Sequence, residues 1–182
     1  MVILRFRLTQ EEYYQYNYYT AWSDPSKGAY RLRYFARVFI LYGVVASLYI
    51  ITNSSHMIGV DISVFVATGS VYLLLVPFFI RWSVRRRVRD ILSRKENLHV
   101  LDEAEIHLSD SGILDKDPVS ESRYDWDAVV RMAETPESYY LYTNSYHAIV
   151  IPKRAIRSDD DKAEIGRLFI EHLPLSAALP GA

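Results

Sequence analysis

Cysteine is absent from these 182 residues, which excludes a disulfide framework, a thiolate metal site and a thiol nucleophile. Net charge is nearly absent as well: 21 Lys and Arg against 22 Asp and Glu leave −1, so nothing global calls for a nucleic-acid partner. There is no Gly-x-Ser-x-Gly elbow, no Walker loop and no Gly-x-Gly-x-x-Gly. The histidines are His56, His99, His107, His147 and His172, and none makes a His-x3-His or HExxH pattern. The most consequential lack is local. Between Val38 and Val60, and again between Ile62 and Ile80, there is no Asp, Glu, Lys or Arg.

Each of those runs approaches the ~20 residues that cross ~30 Å of hydrocarbon at ~1.5 Å per residue. Asn53, Ser54, Ser55, His56, Gly59 and Asp61 supply a short polar turn between them, so the two helices are expected to be antiparallel neighbours. A buried hairpin of a soluble protein is the competing reading; arginines just outside both runs favour the bilayer. Lys27, Arg31, Arg33 and Arg37 precede the first run and Arg81, Arg85, Arg86, Arg87 and Arg89 follow the second, while the turn carries only Asp61. The positive-inside rule then places both chain ends in the cytoplasm, with an aromatic belt of Tyr34, Phe35, Tyr42, Phe78, Phe79 and Trp82 near that interface. Residues 1–8 are too short for the apolar core of a signal peptide, so the first span is expected to act as its own targeting signal.

Within the hairpin, Gly43 and Ser47 on the first helix and Ser63, Ala67 and Ser70 on the second are expected to be helix-packing positions. Pro77 removes a backbone donor and is expected to kink the second helix. No acid or lysine lies inside either span, which argues against an ion or proton relay.

The amino terminus alternates, with Val2, Leu4, Phe6 and Leu8 on one face and Ile3, Arg5 and Arg7 on the other, as in a half-buried strand. Thr9 and Glu12 form a capping box that opens a tyrosine-rich helix, with Tyr14, Tyr18 and Trp22 in one stripe and Tyr13 and Tyr16 beside it. Such rings suit either the membrane surface or the face of a folded domain. Asp24-Pro25-Ser26-Lys27-Gly28 then makes a turn.

From Glu96 onward the chain carries 17 acids against 8 bases and reads as a small β domain. Leu98, Val100, Ala104, Ile106 and Leu108 share one face of an alternating run. Asp110-Ser111-Gly112 is a turn; Ile113-Leu114 starts a strand, and others are expected at 119–124, 128–134, 139–143 and 147–151. Ser158, with Asp159, Asp160 and Asp161, caps a final helix whose inner face is Ile165, Leu168, Phe169 and His172. Such a sheet is incomplete alone, so the 2–8 strand is expected to join it across the inserted hairpin.

The segments LRFRLTQEEYYQYN, the two spans with their Arg-rich exit, IHLSDSGI, YDWDAVVRM and YYLYTNSYHAIVIPKRAI together resemble the YcxB-like family of bacterial membrane proteins. The strand pair ending Ile151-Pro152-Lys153-Arg154 carries most of that likeness. The resemblance implies a cytoplasmic domain with a pleckstrin-homology (PH)-like β-fold and no established catalytic residues. The 115–121 loop is unusually acidic here, which argues against an anionic-lipid site there.

The expected fold class is therefore membrane α+β: a two-helix transmembrane hairpin plus a small antiparallel, PH-like β domain closed by a C-terminal helix. The divisions are 1–34 (strand and tyrosine-rich helix), 35–89 (hairpin, helices about 35–54 and 62–82), 96–175 (β domain) and 176–182 (tail). Asp125 and Asp127 flank Trp126, and a solvated edge beside a buried ring fits them better than acid–base work. No catalytic, cofactor or metal residue is expected, and no enzyme activity. Arg85, Arg86, Arg87 and Arg89 with Lys153 and Arg154 are candidate membrane-surface contacts, with plain solvated charges as the alternative. The expected setting is the inner membrane, multi-pass, with the lipid bilayer and a protein or lipid partner in contact and no nucleic acid. Oligomerisation and an accessory role in a transporter or envelope complex are compatible with it.

Overall fold

The computed structural model describes residues 1–52 and 57–173. The expected polar turn at 53–56 and the 176–182 tail lie outside the described residues.

Strand β1 (Val2–Arg7) buries Val2, Leu4 and Phe6 and exposes the residues between them, as its alternation requires. It pairs antiparallel with β2 (Glu103–Ser109), Val2 opposite Leu108 and Arg7 opposite Glu103. The chain thus leaves the sheet after one strand and returns to it after the whole helical region. Strands β3 (Gly112–Lys116) and β4 (Glu121–Tyr124) complete a four-stranded sheet in the order β1-β2-β3-β4. Gly112 makes the β2–β3 turn at φ +136°, and a Cβ there would lie 2.6 Å from the Tyr124 carbonyl oxygen, so only glycine fits. A second antiparallel sheet holds β5 (Arg131–Glu134), β6 (Ser138–Tyr142) and β7 (Ala148–Pro152), in that order.

Between the helical region and the second sheet's partners, three expectations change. Residues 95–101 form a 3-10 turn rather than the start of the β2 strand. Trp126–Ala128 is another 3-10 turn, so the strand expected at 128–134 begins only at Arg131. The helices are also longer than 35–54 and 62–82. α1 (Gln10–Tyr18) carries the expected capping box, and a π turn over Tyr19–Ser23 and a 3-10 turn over Pro25–Lys27 follow it. α2 (Gly28–Thr52) then starts directly from the Asp24-capped turn. α3 (Ile58–Leu92) runs on through Pro77 and the arginines, because arginine is a good helix former and nothing after Trp82 interrupts it.

The main core lies between the two sheets and α4 (Asp159–His172), where Leu4, Ile106, Leu108, Leu141, Ile151, Ile165 and Leu168 are essentially solvent-free. Ser158 accepts the Asp161 amide at 3.0 Å and so caps α4. Trp126 is buried as expected, its indole N–H donating to the Ser109 carbonyl at 2.9 Å. A second cluster lies on the opposite face of the β5–β7 sheet, where Tyr16 from α1 packs against Ala133, Tyr140, Tyr142, Ala148 and Val150. The tyrosine-rich helix therefore packs on the β domain and covers that face.

Candidate functional site

The chain's chemistry concentrates where α1 is wedged between the β5–β7 sheet and the arginine-bearing end of α3. On the sheet side, the Tyr16 hydroxyl donates to the Tyr146 carbonyl at 2.7 Å and accepts the Ala148 amide at 3.1 Å. Tyr16 and Tyr19 both lean on the Tyr140 ring, with centroids 5.6 and 5.3 Å away. Thr20 and Tyr142 share a buried hydroxyl–hydroxyl bond of 2.8 Å. Burial pushes the Tyr140 phenol up to about 12, against a hydrogen bond from Thr135.

Asp24 ties this wedge to the base of α2. It is fully buried and lies in ion contact with Arg131 at 2.5 Å, while the Ser26 amide and hydroxyl donate to its other oxygen at 2.9 and 2.7 Å. Burial alone would raise this carboxyl, but the Ser26 hydrogen bonds and the Arg131 charge outweigh it and hold the group below the ordinary carboxylate range. Arg131 also lies 3.9 Å over the Tyr142 ring. From α2, Arg31 donates to the Trp22 and Asp24 carbonyls at 2.5 and 2.9 Å, and from the turn before it Lys27 donates to the Thr20 carbonyl. The first apolar helix thus leaves the β domain through a buried, hydrogen-bonded joint.

On the α3 side, Tyr14 and Tyr18 stack at 6.0 Å, and each carries a guanidinium over its ring, Arg85 at 4.7 Å and Arg81 at 5.5 Å. Arg85 also meets Glu11 at 3.4 Å. The Tyr18 phenol is raised by burial but lowered further by its bond to Arg81, so its net shift is downward.

The other candidate surface residues are placed unequally. Arg86 lies over Trp82 at 5.6 Å, and Arg87 and Arg89 are exposed on the same helix. Lys153 pairs with Glu134 at 2.6 Å, and Arg154 holds Glu12 at 2.6 Å and the Arg7 carbonyl at 2.6 Å. Lys153 and Arg154 are therefore engaged within the chain, where they fasten β7's end to β5 and to α1.

The helix seam also departs from the expected small-residue positions. Tyr42 reaches from α2 to donate to the Phe65 carbonyl at 2.9 Å and meets the Thr68 hydroxyl, and Tyr34 bonds Tyr72 at 3.0 Å. Gly69, not Ala67, takes the close contact, 3.5 Å from the Tyr42 ring. Ser63 and Ala67 are exposed, and Gly43, Ser47 and Ser70 line an open groove in which a methyl on Gly43 would touch nothing within 4 Å. The bulk of Tyr42 and Phe65 in the seam is the reason: the rings fill the space that small residues would otherwise close.

Residues 108–169 match the family model described as YcxB-like protein. Over these residues the chain is similar to that family. The matched segment runs from the end of β2 to the last turn of α4, and so contains Trp126, the β6 strand that holds Tyr140 and Tyr142, and Arg131. It begins after both apolar helices, so the likeness in the opening strand, α1 and the hairpin lies outside the matched residues. No curated protein and no solved structure matches the chain.

Outside the wedge, Asp110, Glu171 and His172 bring one ligand-type atom each to within 4.8 Å of one another. Arg167 already occupies that cluster, bonding Asp110 at 2.8 Å, Glu171 at 2.5 Å and Glu164 at 2.9 Å, while His172 stacks on Trp126. Sequence reasoning missed Asp110's place in this cluster and the Asp24–Arg131 pair for the same reason: Asp110 is distant in the chain from α4, and Asp24 from Arg131, with no fixed spacing between them. Asp24 ahead of Pro25 was visible as a turn signal, but nothing local names its buried partner.

Proposed function

We propose that this chain is an integral protein of the inner membrane, in which α2 and α3 cross the bilayer as a hairpin with both chain ends in the cytoplasm. Its PH-like domain works at that membrane face by binding a protein or lipid partner. One observation carries the reading. α2 and α3, 25 and 35 residues long, turn a nearly continuous apolar surface outward, with Ile51 79%, Leu74 78% and Phe78 65% exposed. A surface of that size in water would drive association, whereas hydrocarbon covers it at no cost. Arginines at the domain-side end of both helices support the orientation. A four-stranded and a three-stranded antiparallel sheet closed by a C-terminal helix support the PH-like assignment.

The cysteine-free chain makes the test direct. Single cysteines at Met57 and at Lys116 are treated with a membrane-impermeant maleimide on intact spheroplasts. Met57→Cys is expected to label at once and Lys116→Cys only after permeabilisation. The reverse pattern overturns the orientation, and recovery of the chain in the soluble fraction overturns the insertion.

A second reading, an accessory subunit that packs through its hairpin, is favoured by the groove of about 460 Å³ lined by Gly43, Ser47 and Ser70. Loss of a co-purifying multispan protein on Gly43→Leu would favour it over the first.

A further inference from the structure

Arg81 and Arg85 lie one turn apart toward the C-terminal end of α3, and both line a single cavity of about 470 Å³ between α3 and α1. The α1 wall includes Tyr14 and Tyr18, whose rings stack at 6.0 Å. Each ring carries one guanidinium over its face, Arg85 at 4.7 Å on Tyr14 and Arg81 at 5.5 Å on Tyr18. Such a contact engages the flat face of a guanidinium and leaves the N–H groups at its edge free to donate. Arg81 directs only its Nε to the Tyr18 hydroxyl, at 3.4 Å, and Arg85 only one Nη to Glu11, at 3.4 Å. Among the described residues the other donors of both forks have no partner. The stacked tyrosines thus hold two donor edges in place before any ligand arrives.

The cavity carries one sign of charge. No carboxylate lines it among the described residues, and Glu11, which meets Arg85, is not part of its wall. Its apolar rim is Phe78, 65% exposed, and Trp82, which carries Arg86 over its ring and is still 54% exposed. Arg81 is the first charge after the run between Ile62 and Ile80. With α3 across the bilayer, it stands where hydrocarbon gives way to phosphates, and Arg85 about 6 Å further along the axis. Arg87 and Arg89 are exposed on the same helix but do not line the cavity.

We infer that the cavity between α1 and α3 is a site for an anionic phospholipid. The phosphate diester sits on the edges of Arg81 and Arg85, and the acyl chains leave past Phe78 and Trp82 along the exposed apolar side of α3. The inference rests on the membrane placement proposed above, since only there does an acyl-bearing ligand reach this end of α3. Two cations with no facing acid select a headgroup of net negative charge, as in phosphatidylglycerol. A zwitterionic lipid would bring its cationic group to a wall that holds only guanidiniums. The apolar rim selects the lipid over the free phosphate diester.

The test uses the full chain in neutral detergent at ~0.15 M salt, where distant charges are screened. It is titrated calorimetrically with dihexanoyl phosphatidylglycerol, dihexanoyl phosphatidylcholine and deacylated glycerophosphoglycerol. The glycerol lipid is expected to bind at least about tenfold more tightly than either of the others. Arg81→Ala/Arg85→Ala is expected to weaken it about tenfold or more, and Arg87→Ala/Arg89→Ala, which removes the same charge outside the cavity, by no more than about twofold. Unaltered thermal unfolding checks that each variant is folded. Arg81→Gln alone leaves Arg85 and its Glu11 contact in place and is expected to weaken the lipid about fivefold, which keeps the test open if the double variant does not fold. Equal losses from the two double substitutions would mean diffuse attraction and overturn the site. So would phosphatidylcholine or the deacylated headgroup binding as tightly as phosphatidylglycerol, or no binding at all. Such a failure with the maleimide pattern intact leaves the membrane reading standing; a chain that fractionates as soluble fails that reading instead.

Discussion

The two sheets follow the same antiparallel rules but are buried differently. In the β1–β4 sheet one face meets the core and the other is open: Leu4 is 1% exposed and its neighbour Ile3 45%. In the β5–β7 sheet both faces are covered, Leu141 and Ile149 by the core and Tyr140, Tyr142 and Ala148 by α1. A sheet covered on both sides loses its alternation, which is why β7 is buried at every position. The difference shows that α1 is part of the β domain's packing, and that whatever acts on α1 acts on the sheet beneath it.

That contrast is open to attack at several positions. The largest effect is expected from Tyr140→Ala, which empties the middle of the α1-covered face and should cost about 3–5 kcal/mol of unfolding free energy in detergent. Asp24→Ala should cost about 3 kcal/mol by leaving Arg131 facing a buried void, read from the same unfolding curves. Because the folded Asp24 carboxyl lies below its unfolded value, it adds stability above about pH 4 and loses it as pH falls through the folded pKa. Asp24→Asn should therefore flatten the acid limb of the stability profile. Tyr16→Phe keeps the ring and removes the bonds to Tyr146 and Ala148; about 1–2 kcal/mol is expected, with faster exchange of the Ala148 amide. The smallest effect belongs to the open face: Arg5→Ala removes an exposed ion pair with Glu105, 2.5 Å long, and should shift stability by no more than about 0.5 kcal/mol. An Arg5→Ala effect as large as that of Tyr16→Phe would mean that something covers the β1–β4 face too.

Much of this arrangement was legible in the sequence where a pattern is local. Thr9 and Glu12 announced the start of α1, Ser158 the start of α4, and the alternation from Val2 to Arg7 the strand that closes the sheet. Alternation misled at 95–101, where a run that reads as strand folds as a 3-10 turn between α3 and β2. The hairpin shows a related limit. Spacing shows which side chains share a helix face, but not that Tyr42 crosses to Phe65 and Thr68 and sets the seam at Gly69. Of the candidate surface cations, the sequence showed their charge but not that Lys153 and Arg154 are already paired.

The sequence by itself determined the kinds of element and their order, including two helices long and apolar enough to cross a membrane, because periodicity, caps and charge-free runs act over a few residues. Only the tertiary structure decided what α1 covers, which arginines remain available, and that Asp24 meets Arg131. Those outcomes depend on groups such as Thr20 and Tyr142, 122 residues apart, being desolvated together, and no local pattern encodes the distance between them.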